Sequence, residues 1–239
     1  MSWRISPQYK DPDYSSVSLL LHGNGTNGST TITDNSPSPK TVTTVGNAQI
    51  STAQSKFGGA SVRFDGTGDY LTAANNASLN FDSGDFTIEY WMYIAGLQTP
   101  NTDGFRNATL VAYGVNNVTN SGYEFNINTT SNTLNFGRTG SGIAAQGNFT
   151  FALSTWYHVA YTRAGSTNRL FVDGQSLTLF NDTFSPATSP TGTLRVGASR
   201  MYTGYNNDFN GYIDDLRITK GVARYTSNFS VPPAQFPDI

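Results

Sequence analysis

The sequence predicts an all-β protein built as a two-sheet antiparallel sandwich, and three observations carry that prediction. Only 13% of the 239 residues are charged, too few to furnish the polar faces of long amphipathic helices. Gly, Asn, Ser and Thr recur throughout and aromatics reach 13%, the composition of short strands joined by tight polar turns. No self-similarity at a solenoid or propeller period is present. The length suits one such domain.

Residues 1–16 carry two prolines and mixed charge with no sustained period, and read as an arm. From Val17 the chain changes to apolar runs of about four to eight residues broken by Gly, Asn and Asp. Val62-Arg-Phe64 enters the turn Asp65-Gly-Thr-Gly-Asp69 and leaves it at Tyr70-Leu71. The clearest strand is Phe86-Thr-Ile-Glu-Tyr-Trp-Met-Tyr-Ile94, with Phe86, Ile88, Tyr90, Met92 and Ile94 on the core face and Thr87, Glu89, Trp91 and Tyr93 on the other. Residues 123–127 and 134–136 alternate around a Thr-Thr-Ser-Asn stretch and predict a hairpin. Residues 156–162 supply a further strand with Trp156 as an expected core residue. Residues 169–172, closed by Asp173-Gly174, and the runs 194–196 and 213–218 complete the apolar set. The last stretch, with Pro232, Pro233 and Pro237, cannot form an interior strand. The organisation expected is thus an arm (1–16), one domain (17–226) and a Pro-rich tail (227–239).

Several classes of function are excluded. Fourteen Lys and Arg stand against sixteen Asp and Glu without a basic stripe, so nucleic acid is a poor partner. No run approaches the roughly 18 apolar residues of a membrane helix, and residues 1–16 lack the apolar core of a leader peptide. Cysteine is absent, so neither disulfides nor thiolate zinc sites hold the fold. Asn-x-Ser/Thr triplets such as those at Asn24, Asn107, Asn128 and Asn181 follow from the Asn-rich composition and are assigned no glycosylation.

The order of motifs resembles a known family. Ser18-Leu-Leu-Leu-His-Gly-Asn-Gly, Asp34-Asn-Ser, and Lys56-Phe-Gly-Gly-Ala-Ser-Val-Arg-Phe-Asp-Gly-Thr-Gly-Asp-Tyr-Leu71 resemble the opening of a concanavalin A-like, laminin-G-like jelly roll. The landmarks at 86–91, Trp156-Tyr-His-Val-Ala160, Leu170-Phe-Val-Asp-Gly174 and Gly211-Tyr-Ile-Asp-Asp-Leu-Arg-Ile218 follow in the expected order. The resemblance covers about residues 17–226. The closing Thr219-Lys-Gly-Val-Ala-Arg-Tyr-Thr-Ser-Asn-Phe229 is similar to a subgroup found in bacteriophage virion proteins. What this implies is a non-enzymatic capsid-decoration or tail-fibre protein at the virion surface, assembled in the host cytoplasm. Its implied partners are other virion proteins or further copies of itself, and host or environmental glycans. A free carbohydrate-binding lectin module and a glycan-active enzyme are the alternatives.

The residues weigh against the enzyme. Glycan-cleaving members of the family set two glutamates about four residues apart on one strand, whereas the two here, Glu89 and Glu124, fall in separate strands. Asp65 and Asp69 flank a Gly-rich turn and read as turn formers. His22 and His158 lack a nucleophile-elbow context, and His158 reads as a structural histidine. For a sugar, residues 199–209 offer Tyr202 and Tyr205 as stacking platforms, with Asn206, Asn207 and Asp208 as hydroxyl partners. Asp214 shares strand parity with Leu216 and Ile218 and is expected on the buried side, where a carboxylate needs donors or a cation. Related jelly rolls tie the start of the domain to the last strand with calcium. A calcium ion here would sit between Asp34, the Gly23 carbonyl and Asp214, with plain hydrogen bonding of Asp214 the equal alternative. The aromatic content of residues 1–16 and 229–239 points to docking on a partner, with folding back of both ends onto their own domain as the near-equal alternative.

Overall fold

The computed structural model describes residues 10–97, 107–114, 122–138, 142–182, 192–199 and 207–239. Its strands in chain order are β1 (Val17–Leu21), β2 (Val42–Val45), β3 (Gln49–Ser51), β4 (Ser61–Asp65), β5 (Tyr70–Ala73), β6 (Phe86–Ile94), β7 (Asn107–Gly114), β8 (Tyr123–Asn128), β9 (Thr133–Arg138), β10 (Gly142–Asn148), β11 (Trp156–Ala164), β12 (Thr167–Val172), β13 (Gln175–Ser176), β14 (Leu179–Asp182), β15 (Thr193–Val196) and β16 (Asn210–Lys220). They form a two-sheet jelly-roll sandwich. The first sheet runs β13-β12-β11-β6-β16-β4-β3, with β1 also beside β16, and the second runs β14-β10-β9-β8-β7-β15-β5-β2.

Alternation in β6 and β11 decides what lies between the sheets. Phe86, Ile88, Tyr90, Met92 and Ile94 from β6 join Tyr157, Val159 and Tyr161 from β11 in one core with Phe125 and Phe136 of the second sheet. Phe86 stacks on Phe81 at 4.0 Å between ring centroids, and Phe136 stacks on Tyr161 at 3.8 Å, geometries that add to plain area burial. Trp156 differs from its expected core position. The β11 period assigns the core to Tyr157, so Trp156 points outward, partly buried beside Tyr93 at 5.5 Å.

Two local devices shape the first sheet. Asp173 and Gly174 both have positive φ (48° and 74°), the two-residue turn that matches strand twist, and a Cβ at Gly174 would meet the Phe229 carbonyl oxygen at 2.0 Å. The second device is a bulge in β16. Its register against β6 breaks between Asp214 and Arg217, and Asp215 has a φ of 51°. The first half of β16 pairs with β4 and the second with β1, so the bulge marks the changeover. It also inverts parity: Ile213 and Leu216 both face the core. The buried-side assignment of Asp214 by its parity with Leu216 is therefore corrected, because the extra residue of a bulge resets the alternation. Asp214 is opposite Trp91 on the outer face.

Residues 10–16 and the Pro-rich tail, expected to dock on a partner, pack against the outer face of this first sheet; residues 1–9 lie outside the described set. Phe236 is 3% exposed and sits with Val17 and Leu20, its ring 3.8 Å from the Arg217 guanidinium.

Candidate functional site

The outer face of the second sheet carries a row of neutral polar side chains. Strand register places Thr109, Asn126, Asn135 and Gln146 side by side across β7, β8, β9 and β10. The same alternation that sends Tyr123, Phe125 and Ile127 inward sends Glu124, Asn126 and Asn128 outward. Asn135 Nδ2 donates to Asn126 Oδ1 at 2.9 Å. Thr109 Oγ1 donates to Glu124 Oε1 at 2.6 Å, and Ser199 Oγ lies 3.3 Å from Oε2. Burial pushes the Glu124 carboxyl up, against hydrogen bonds from Thr109, Ser199, Asn126 and Asn207 that pull it back. Among the described residues, Asn135 and Asn207, 1% and 9% exposed, each keep a side-chain oxygen with no donor. Buried acceptors of this kind ask for a donor from outside the chain, a water or a ligand. Asn126 and Gln146 are the half-buried, reachable members, and Arg195 lies 5.5 Å from the Tyr70 ring on the same face.

Of the predicted sugar residues, Asn207 joins this patch, and its backbone oxygen accepts the Thr109 N–H. Asp208 braces the turn at 65–69 by accepting the Gly68 N–H at 2.8 Å. Tyr202, Tyr205 and Asn206 lie outside the described residues. Asp65 and Asp69 do form turns: Asp69 accepts the N–H groups of Asp65 and Asn47, and Asp65 that of Thr67. Glu124, Asn126 and Asn135 escaped the sequence reading. Their signal was an outward face of amides and one acid, where a solvated strand more often sets Thr and Lys.

The outer face of the first sheet holds a buried charge network instead. Arg217 joins Glu89 (Nε to Oε1, 2.9 Å) to Asp11 (Nη1 to Oδ2, 2.9 Å). Arg224 grips both Asp11 oxygens at 2.9 and 2.8 Å. Tyr225 donates to Glu89 Oε2 at 2.7 Å, and His158 Nε2 stands 3.3 Å from the same oxygen. Burial alone raises the Glu89 carboxyl, but Arg217, His158 and Arg224 outweigh it and hold it at about 2. A cavity of about 660 Å³ lies where residues 11–13 meet the tail. Its two arginines are spent on Asp11 and Glu89, so this layer is a clasp that fastens both end segments to the sheet.

Of the expected calcium donors, Asp34 and one oxygen of Asp214 accept backbone N–H groups, while Asp214 Oδ1 keeps no donor among the described residues. Asp34 accepts N–H groups from Leu20, Ser36 and Lys40, and Asp214 Oδ2 accepts those of Lys56 and Phe57 at 2.7 and 3.0 Å. Gly23 takes a φ of 71°. Among the described residues no group of three His, Cys, Asp or Glu could hold a metal, so a calcium ion here would have to rest on Asp34, Asp214 and backbone carbonyls, as first expected.

Burial, and next to it Asp215, push the Asp214 carboxyl up to about 7 despite those two N–H bonds. The folded value exceeds the unfolded value of about 3.9. The stability this proton lends is therefore complete below about pH 4 and is lost as pH rises through about 7. Glu89 works in the opposite sense, its contribution present above about pH 4.3 and lost as pH falls. The melting temperature should peak near about pH 5, and Asp214→Asn should flatten the decline between about pH 5 and 8. Melting curves in calcium and in chelator should give the same flattening. A loss seen only in calcium would restore the metal reading.

Comparison with known proteins decides the family. A family model described as the concanavalin A-like lectin/glucanases superfamily matches residues 65–224. The chain belongs to this superfamily. Solved structures similar to this superfamily member include the binding domain of botulinum neurotoxin serotype D/C, at 17% identity and a TM-score of 0.62, covering 87% of this chain and 50% of that one. The binding domain of botulinum neurotoxin DC in complex with rat synaptotagmin II is 18% identical with a TM-score of 0.61, over 88% and 49%. A structure of botulinum neurotoxin type C, a toxin whose cell entry depends on interaction with two ganglioside molecules, is 18% identical with a TM-score of 0.61, over 87% and 49%. The chain spans about half the length of these structures, and the likeness shows the fold. No curated protein matches the sequence.

Proposed function

We propose that this domain is a non-enzymatic glycan-binding module that reads a sugar with the outer face of its second sheet, around Asn126, Asn135 and Asn207. The observation that carries the reading is the pair of buried amide oxygens without donors beside Glu124. Sugar hydroxyls are donors of the required kind, and a closely packed amide row orients them. The ganglioside named for the neurotoxin of similar fold supports a glycan as the ligand.

The superfamily also holds glucanases, and the placement of the acids argues against that activity. Glu89 and Glu124 sit on opposite outer faces of the sandwich, while the outward positions of β8 run Glu124, Asn126, Asn128. Glycoside hydrolysis needs two carboxyls roughly 5 to 10 Å apart, and amides replace the second acid here. The phage-like closing segment, residues 219–229, supports a virion surface as the setting. There the chain would sit among other virion proteins as a decoration or fibre component.

A glycan array probed with the wild-type chain should give a defined set of bound sugars. Asn126→Ala, at a half-buried site outside the core, should weaken binding by about tenfold or more, the value of one or two lost hydrogen bonds with a buried partner left unpaired, while the domain stays folded with a stability loss of about 1 to 3 kcal/mol from the Asn135 amide that loses its acceptor. Binding by Asn126→Ala at full strength, or no sugar bound at all, would remove the reading. Release of reducing sugar would return the enzyme.

A further inference from the structure

A second site lies at the end of β1, away from the amide row. His22 is 7% exposed, and its Nδ1 is 2.7 Å from Asp215 Oδ1. The other Asp215 oxygen accepts the Phe236 N–H at 2.7 Å, so the carboxylate is fixed from both sides. A carboxylate beside Nδ1 sets that nitrogen as the protonated one and leaves Nε2 as a lone-pair acceptor. Nε2 has no partner among the described residues. His22 lines a cavity of about 220 Å³ together with Asn24, Ile32, Thr33, Asn35 and Ile50.

The lining selects the chemistry of an occupant. Among the described residues no Lys, Arg, Asp or Glu side chain borders the cavity, so neither an anion nor a cation finds its counter-charge there. Ile32 and Ile50, 6% and 1% exposed, give it an apolar floor. One imidazole acceptor, one hydroxyl and two amides stand around that floor. A neutral ring with a C–H face and several hydroxyls matches both parts. The volume equals roughly seven waters at about 30 Å³ each, enough for one pyranose ring and no longer chain.

We propose that this cavity is a monosaccharide-sized subsite in which His22 Nε2, held by Asp215, accepts a hydroxyl of a neutral sugar. The subsite shares no residue with the amide row. A sugar seated here brings its donor to an oriented acceptor without disturbing the Asp215 link to the tail.

His22 and His158 are the only histidines, which makes imidazole ¹H–¹⁵N spectra a direct test. The free protein should show His22 protonated at Nδ1. Neutral hexoses added to about 50 mM, above the millimolar Kd expected for roughly a dozen heavy atoms, should include at least one that moves the His22 Nε2 resonance and leaves fully buried His158 unmoved. Thr33→Trp, at an exposed position on the rim, should abolish that response with the His158 signals unchanged as proof of folding. Asn126→Ala should preserve it. The proposal is overturned by a His22 proton on Nε2, by the absence of any response, by a response that survives Thr33→Trp, or by one that disappears with Asn126→Ala. The last result would make both regions one site.

Discussion

Truncating Phe86 to Ala should cost about 3 to 5 kcal/mol of stability, the range for a large buried aromatic. Phe86 is fully buried, stacked on Phe81 and within 5.8 Å of Phe136 and 5.5 Å of Tyr161. Its removal would leave a void bounded by rings from both sheets, which cannot collapse without unstacking one another. For a domain of this length the melting temperature should fall by roughly 6 to 20 °C. Urea unfolding should show a lower midpoint at an unchanged slope. Trp156→Ala, at an outward position, should cost distinctly less. Near-equal losses would mean that the sheet faces are assigned wrongly.

Arg217→Ala should be as damaging, for an electrostatic reason. Arg217 is 5% exposed and bridges Glu89 and Asp11, both buried. Removing it leaves fully buried Glu89 without its main cation, a change that costs about 3 to 5 kcal/mol when one member of a buried pair is lost. It also removes the cation beneath the Phe236 ring, so cleavage of the tail by a nonspecific protease should accelerate. Glu89→Leu combined with Arg217→Met should be much milder than Arg217→Ala alone, because a buried ion pair replaced whole by apolar groups is often close to neutral. Equal destabilisation by the single and double variants would count against the clasp.

Strand β6 was readable from sequence because nothing interrupts its period: every second residue from Phe86 to Ile94 is apolar and every one is buried. Strand β16 was readable only up to Ile213. The bulge at Asp215 depends on β4 and β1 succeeding each other along the same edge, a relation that local spacing cannot express. The clasp was hidden for a similar reason, since Asp11 and Arg217 meet across 206 positions. An Asp in an irregular arm carries no local mark of its distant partner. At the amide row the alternation was visible in residues 123–127, but which outward residues become neighbours depends on the register of β8 against β9 and β10. The His22–Asp215 pair needed the bulge itself, since it is the bulge that turns Asp215 toward β1.

The position of β16 has a consequence for how the chain acquires its shape. This strand, at residues 210–220, is the axis of the first sheet and pairs with β6, β4 and β1. During synthesis all three must wait for it, β1 through nearly two hundred residues of growing chain. Until then β1 and β4 lack the neighbour that pairs with both, and the apolar face of β6 faces an incomplete layer. Pairings this distant in sequence make closure slow, on the order of milliseconds to seconds. They also leave half-made sheets open to association with other chains in the interval. Yield in a cell should therefore respond more steeply to substitutions in the last thirty residues than melting temperature does, because those residues govern how long the unfinished sheet stays exposed.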